Sequence, residues 1–153
     1  MKRIYLTALA LLFIVCAVPA AQAQLLMRGD ASYWVRGDRI RINIEDITNF
    51  SDETSGRLAL MVWASEDPWE TFDHGQLIAY SLLPKLLPNQ NLSDVRRTMA
   101  FHKPRTGWYY ITVTLQERVR TESGTLRWVI RDKIEFNEQQ FFRRFSDSWY
   151  LPF

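Results

Sequence analysis

The sequence predicts an all-β domain, about seven antiparallel strands folded as a two-layered sandwich. Three observations predict it. Apolar residues recur at every second position over much of the chain, turn residues return about every 8 to 12 residues, and no segment needs a helix of more than about two turns.

Residues 1–23 stand apart from this pattern. Met1, Lys2 and Arg3 form a basic start, residues 4–20 are apolar apart from Thr7 and Pro19, and Ala21-Gln22-Ala23 follows as a small-x-small site. These are the three regions of a secretory signal peptide, with cleavage expected between Ala23 and Gln24. The uninterrupted apolar part, residues 8–18, is shorter than the roughly 20 residues that span a bilayer. Val15 before Cys16 argues against lipidation of that cysteine. The expected product is a periplasmic or secreted protein with no transmembrane segment after cleavage, organised as a β-sandwich over residues 24–136 and an aromatic tail over 137–153.

Each strand has its own signature. Gly-Asp pairs at Gly29-Asp30 and Gly37-Asp38 read as turns flanking a short strand around Tyr33 and Val35. Ile40, Ile42 and Ile44 alternate with Arg39, Arg41 and Asn43, as in a strand with one buried face. Around Leu58, Leu60 and Val62 both faces are largely apolar, which predicts a central strand. Residues 76–83 form a shorter one stopped by Pro84, which cannot donate to a ladder. Residues 95–101 resume with Val95, Arg97, Met99 and Phe101 on one side. Residues 103–107 then turn, and residues 108–119 read as the longest strand. A turn at Glu122-Ser123-Gly124 returns the chain through Leu126, Trp128 and Ile130 as a hairpin reaching Phe136. Asn137 with Gln140 three residues on matches a capping box, so a short C-terminal helix is expected over residues 137–145.

Composition narrows the function classes. The chain carries 19 basic and 17 acidic residues; loss of Lys2 and Arg3 leaves 19 − 2 = 17 against 17. A neutral domain lacks the basic excess that binds nucleic acid. Cys16 is the single cysteine and lies in the signal, so disulfides, thiolate metal sites and cysteine nucleophiles are not expected in the mature chain. With six Trp, six Tyr and nine Phe, the domain is expected to stand on its core.

The residues of 58–117 carry a resemblance. Val62-Trp63-Ala64-Ser65, Pro68, Gly75, Tyr80, Arg97-Thr98, Phe101, Pro104, Gly107, Tyr109-Tyr110, Leu115 and Glu117 look like the pattern of a β-sandwich accessory module of secreted bacterial proteins. Gly107-Trp108-Tyr109-Tyr110 resembles the tyrosine corner of immunoglobulin and fibronectin type III sandwiches. The resemblance implies an immunoglobulin-like fold and brings no catalytic residues; a fold alone assigns no function.

Two places hold candidate binding residues. Residues 65–75 read Ser-Glu-Asp-Pro-Trp-Glu-Thr-Phe-Asp-His-Gly, where Glu66, Asp67, Glu70 and Asp73 could offer oxygen ligands to calcium. Their spacing matches no EF-hand loop, and a solvated loop is the preferred reading. Glu66, Asp67, Trp69, Phe72, Asp73 and His74 are the ligand-facing candidates there, with Trp69 foremost. Trp63 and Trp108, among apolar neighbours, are assigned to the core. The second place is the C-terminal tail, whose Phe141, Phe142, Trp149 and Tyr150 are unusual for a solvated chain end. They are expected to pack on the domain or dock on a partner.

Catalysis finds little support. His74 and His102 fall short of a zinc set, no glycine-framed serine nucleophile appears, and no metal or cofactor is expected. Arg118, Arg120, Arg127, Arg131 and Lys133, facing Glu117, Glu122, Asp132 and Glu135, read as solvated cross-strand pairs. The expected function is a non-enzymatic module docking on another envelope or secreted protein. A carbohydrate-binding module using Trp69 and the neighbouring acidic loop residues is the alternative, and a small outer-membrane barrel with aromatic girdles a third.

Overall fold

The computed structural model describes residues 24–68 and 75–143. The expected signal peptide, the loop residues Trp69, Glu70, Phe72, Asp73 and His74, and the tail residues Trp149 and Tyr150 lie outside them.

Among the described residues the chain is all-β. Seven strands follow in order: β1 Leu25–Arg36, β2 Arg39–Asn49, β3 Arg57–Ser65, β4 Gln76–Leu83, β5 Asn91–Ala100, β6 Gly107–Arg120 and β7 Leu126–Phe142. They form a three-stranded sheet, β1-β2-β5, and a four-stranded sheet, β4-β3-β6-β7, with every pairing antiparallel. Among the described residues the two sheets do not close into a barrel.

One core lies between the sheets. Ile40, Ile42, Ile44 and Ile47 of β2 fill it from one side; Leu58, Leu60, Val62 of β3 and Ile111, Val113, Leu115 of β6 fill it from the other, all of them 0–1% exposed. Alternation makes this possible, because residues two apart in a strand share a face. Burying a side chain of this size contributes roughly 1.5–3 kcal/mol.

Breaks in the alternation fall where the sequence is hardest to read. In β1, Arg28 pairs with Asp46 but Ala31 with Ile44, so one extra residue is accommodated at a bulge. Gly29 sits there at φ +74°, a conformation open to glycine. The first Gly-Asp is therefore a bulge inside a long strand, where a turn was expected, and β1 reaches back to Leu25. The second Gly-Asp is the turn expected: Arg36 pairs with Arg39 across a two-residue hairpin, with Gly37 at φ +60°.

The expected helix over residues 137–145 is replaced, through residue 142, by strand. β7 has 17 residues and is longer than the 14-residue β6. Tyr109, Trp108 and Gly107 pair with Gln140, Phe141 and Phe142. A polar run such as Asn137-Glu138-Gln139-Gln140 has no strong strand preference of its own, and here pairing with β6 decides its form.

The charges of β6 and β7 are also arranged differently from the expected solvated ladder. Glu117 is buried, with Oε2 accepting from Arg131 Nε at 2.7 Å and Oε1 from the Gly56 amide at 2.5 Å. Asp132 accepts from the Met27 amide at 2.6 Å and so ties β7 to β1 of the opposite sheet. On the other flank, His102 N–H donates to the Ile78 carbonyl at 2.8 Å, joining β4 to the chain after β5.

A candidate docking cleft at the β1–β7 seam

β1 and β7 are edge strands of opposite sheets, and they run side by side. Near one end the seam is closed by the bond from Met27 to Asp132, and then by Tyr33 against Phe136, edge to face with ring centroids 4.7 Å apart. Beyond that contact it opens into a cleft. β1 contributes Tyr33, Trp34 and Val35, the hairpin contributes Gly37, the segment after β5 contributes Phe101 and Lys103, and β7 contributes Gln140, Phe141, Phe142 and Arg143.

Alternation along the end of β7 gives the cleft both an anchored floor and an exposed wall. Phe142 points inward, 6% exposed, with Phe101 and Tyr109 at centroid distances of 5.5 and 6.2 Å. Phe141 points outward, 42% exposed, and packs against Trp108 with ring centroids 5.1 Å apart and the planes tilted by 50°. Trp34 is 49% exposed on the opposite wall, with the Arg41 guanidinium over its ring. Aromatic rings in water beside a packed aromatic floor suit a binding surface, because they bring large apolar area at little cost in conformational freedom.

Tyr33 responds to this setting. Burial, and then the nearby Glu138 carboxylate, raise its pKa above the ordinary 10.0. The folded protein thus holds the phenol proton more tightly than the unfolded chain does. The resulting stability is complete below the unfolded pKa and lost as pH rises through the folded one. Urea midpoints measured against pH are expected to fall more steeply above pH 10 in the wild type than in Tyr33→Phe.

The candidate residues are distributed unevenly. Phe141 and Phe142 are brought to the cleft, one exposed and one in the core. Glu66 and Asp67 are exposed beyond the end of β3, and Ser65 Oγ donates to the Asp67 carbonyl at 2.7 Å. They are not among the residues that line the cleft. Among the described residues no group of three or more His, Cys, Asp or Glu side chains could hold a metal ion. Trp63 is half-buried, its Nε1 donating to Thr114 Oγ1 at 3.0 Å. Trp108, assigned to the core, is instead 58% exposed. Tyr109, Ile111, Val113 and Leu115 share the core face of β6, so alternation places Trp108 on the outer face; apolar neighbours alone misassigned it.

Tyr33, Trp34, Phe101 and Lys103 were not singled out as a site by the sequence. They meet through pairing between distant segments, and the available signal was the cluster of aromatics just before Gly37 and just before Lys103. A second, polar groove on the outer face of the β1-β2-β5 sheet is lined by Asp30, Ser32, Arg41, Asn43, Glu45, Asp94 and Arg96. Its mixed charges favour no particular ligand.

No protein-family model matches the chain, and comparison with curated proteins gives no match.

Proposed function

We propose that this chain is an exported, non-enzymatic immunoglobulin-like module that docks on another envelope or secreted protein through the β1–β7 cleft. The exposed aromatic walls of that cleft, Trp34 on one side and Phe141 on the other, carry the reading. Aromatic anchors of this kind supply much of the energy of protein interfaces.

Supporting observations come from the two ends of the argument. The signal-like residues 1–23 favour export. The strand order favours the immunoglobulin-like class: the third, sixth and seventh strands share a sheet, as do the first, second and fifth. This is the framework of an immunoglobulin constant-type domain with the fourth strand placed beside the third. The near-neutral mature charge favours a partner recognised by apolar contact over a polyanion.

Immobilised mature chain is expected to retain a protein from an envelope extract. Trp34→Ala or Phe141→Ala is expected to weaken that retention at least about 10-fold. Tyr80→Ala, at a still more exposed aromatic on the opposite edge of the four-stranded sheet, should leave retention unchanged. If the wild type is held by a polysaccharide column and Trp34→Ala is not, the carbohydrate-binding alternative replaces this one; exposed tryptophans also stack on sugar rings. Equal retention of all variants would remove the cleft from either function.

A further inference from the structure

We propose that the chain pairs with a second copy of itself through the edge of β4, joining two four-stranded sheets into one. This goes beyond the docking role of the cleft and does not depend on it, because β4 and β7 are opposite edges of their sheet.

Among the described residues four strands are sheet edges: β1, β5, β4 and β7. An edge presents backbone groups that a strand of another chain can take up, and soluble proteins commonly guard it with charge. Three of the four are guarded in this way. β1 carries Arg28, Asp30 and Arg36, β5 carries Asp94, Arg96 and Arg97, and β7 carries charges from Arg127 to Glu138. β4 reads Gln-Leu-Ile-Ala-Tyr-Ser-Leu-Leu, eight residues without a charge, a proline or a glycine. Its outer face is apolar as well. Tyr80 and Leu82 pair with Met61 and Ala59, which alternate with the core residues Leu58, Leu60 and Val62 and so face outward. Tyr80 is 59% exposed and Leu82 49%.

Neutrality selects a second copy as the occupant. A two-fold axis sets a strand against itself, the same patch on both subunits. On β5, with Arg96 and Arg97 near its middle, that brings like charges together, which is destabilising; on β4 no position does. The stretch open to pairing also fixes the register. At its start the Ile78 carbonyl accepts from His102 N–H at 2.8 Å, and after Leu83 comes Pro84, which has no N–H to donate. Between them residues 79–83 pair with β3 without a break, and Ser81 is their centre. An axis there sets Ser81 against Ser81 of the second copy and Tyr80 against its Leu82, an aromatic on an aliphatic side chain, twice over.

Sedimentation velocity on the mature chain, residues 24–153, tests this. A monomer–dimer equilibrium is expected in the micromolar range, weakened at least about 10-fold by Leu82→Lys, which brings a cation from each copy into the contact. Leu126→Lys, at a comparably exposed leucine of β7, should leave it unchanged. Residues 24–153 contain no cysteine, so one introduced thiol reports the register. Ser81→Cys is expected to give a disulfide-linked dimer under mild oxidation, and far faster than Ser93→Cys on the β5 edge. A wild type that stays monomeric, a dimer indifferent to Leu82→Lys, or equal crosslinking at 81 and 93 would overturn the proposal. So would loss of the dimer in Trp34→Ala, which would assign the contact to the cleft.

Discussion

Arg131→Leu is expected to lower the free energy of unfolding by about 3–5 kcal/mol, the usual consequence of leaving one charge of a buried pair uncompensated. The Arg131 and Glu117 side chains are 11% and 5% exposed, and Arg131 Nη2 also lies 2.7 Å from Glu117 Oε2. Leucine at 131 removes both donors from that oxygen. Glu117 would remain on the core face of β6, opposite Leu58 of β3, too enclosed to recover its hydration shell. Denaturant midpoints are the measurement, with exposed Arg127→Leu as the control expected to stay within about 0.5 kcal/mol of wild type.

The same carboxylate organises the entry to β3. Its Oε1 accepts from Gly56, and a Cβ at residue 56 would lie 2.3 Å from the Arg118 carbonyl oxygen. The close backbone approach and the buried acid therefore belong to one joint between the β2–β3 connection and β6. Arg131→Leu combined with Glu117→Leu should regain part of the loss, since an apolar pair of similar volume needs no hydration. Full recovery is not expected, because the Gly56 amide then loses its acceptor, at about 1–3 kcal/mol if it stays buried. A double variant no more stable than Arg131→Leu alone would show that the pair does not act as described.

Which parts of this arrangement were legible follows from what alternation can encode. Ile40, Ile42 and Ile44 declared their face because three β-branched residues at period two have few other uses. Leu58 to Val62 read as central because both faces are apolar, and β3 does lie between β4 and β6. Period two carries no information across a bulge. The extra residue at Arg28-Gly29-Asp30 hid the first half of β1, whereas Trp108 sits on the outer face that alternation with Tyr109 and Ile111 gives it and was misassigned on its apolar neighbours. Nor can a strand pattern report a buried ion pair. Glu117 and Arg131 looked like one more solvated couple among many, and only the register of β6 on β7 and the return of residue 56 enclose them. The cleft was legible in part, through Phe141 and Phe142. Its other wall, Tyr33 to Val35, depends on two edge strands from different sheets meeting, a contact more than a hundred residues apart in sequence that no local signal records.

A buried amide at the end of β2 escaped notice for the same reason, and its removal should have the second largest effect. Asn49 is fully buried. Its Nδ2 donates to the carbonyl of Glu53 at 2.8 Å and to those of Leu86 and Leu87 at 3.2 Å, while Oδ1 accepts from Ser51 Oγ at 2.8 Å and Ser51 N at 3.2 Å. One side chain thus holds the β2–β3 connection against the β4–β5 connection. The joint is reinforced where Ser55 N donates to the Leu86 carbonyl and Leu86 N to Ser55 Oγ, each at 2.9 Å. Leu86 itself is fully buried, so these backbone groups have no water to turn to. Asn49→Ala withdraws donors from carbonyls in both connections and leaves a cavity beside Leu86. The expected loss is about 2–4 kcal/mol, from buried groups at about 1–3 kcal/mol each. Hydrogen exchange supplies the more specific readout: the amides of Ser55 and Leu86 should lose protection before those of Ile42 or Val113, because the joint opens locally while the core between the sheets stays intact. Uniform loss of protection across β2, β3 and β6 would mean that Asn49 supports the fold as a whole and not this joint.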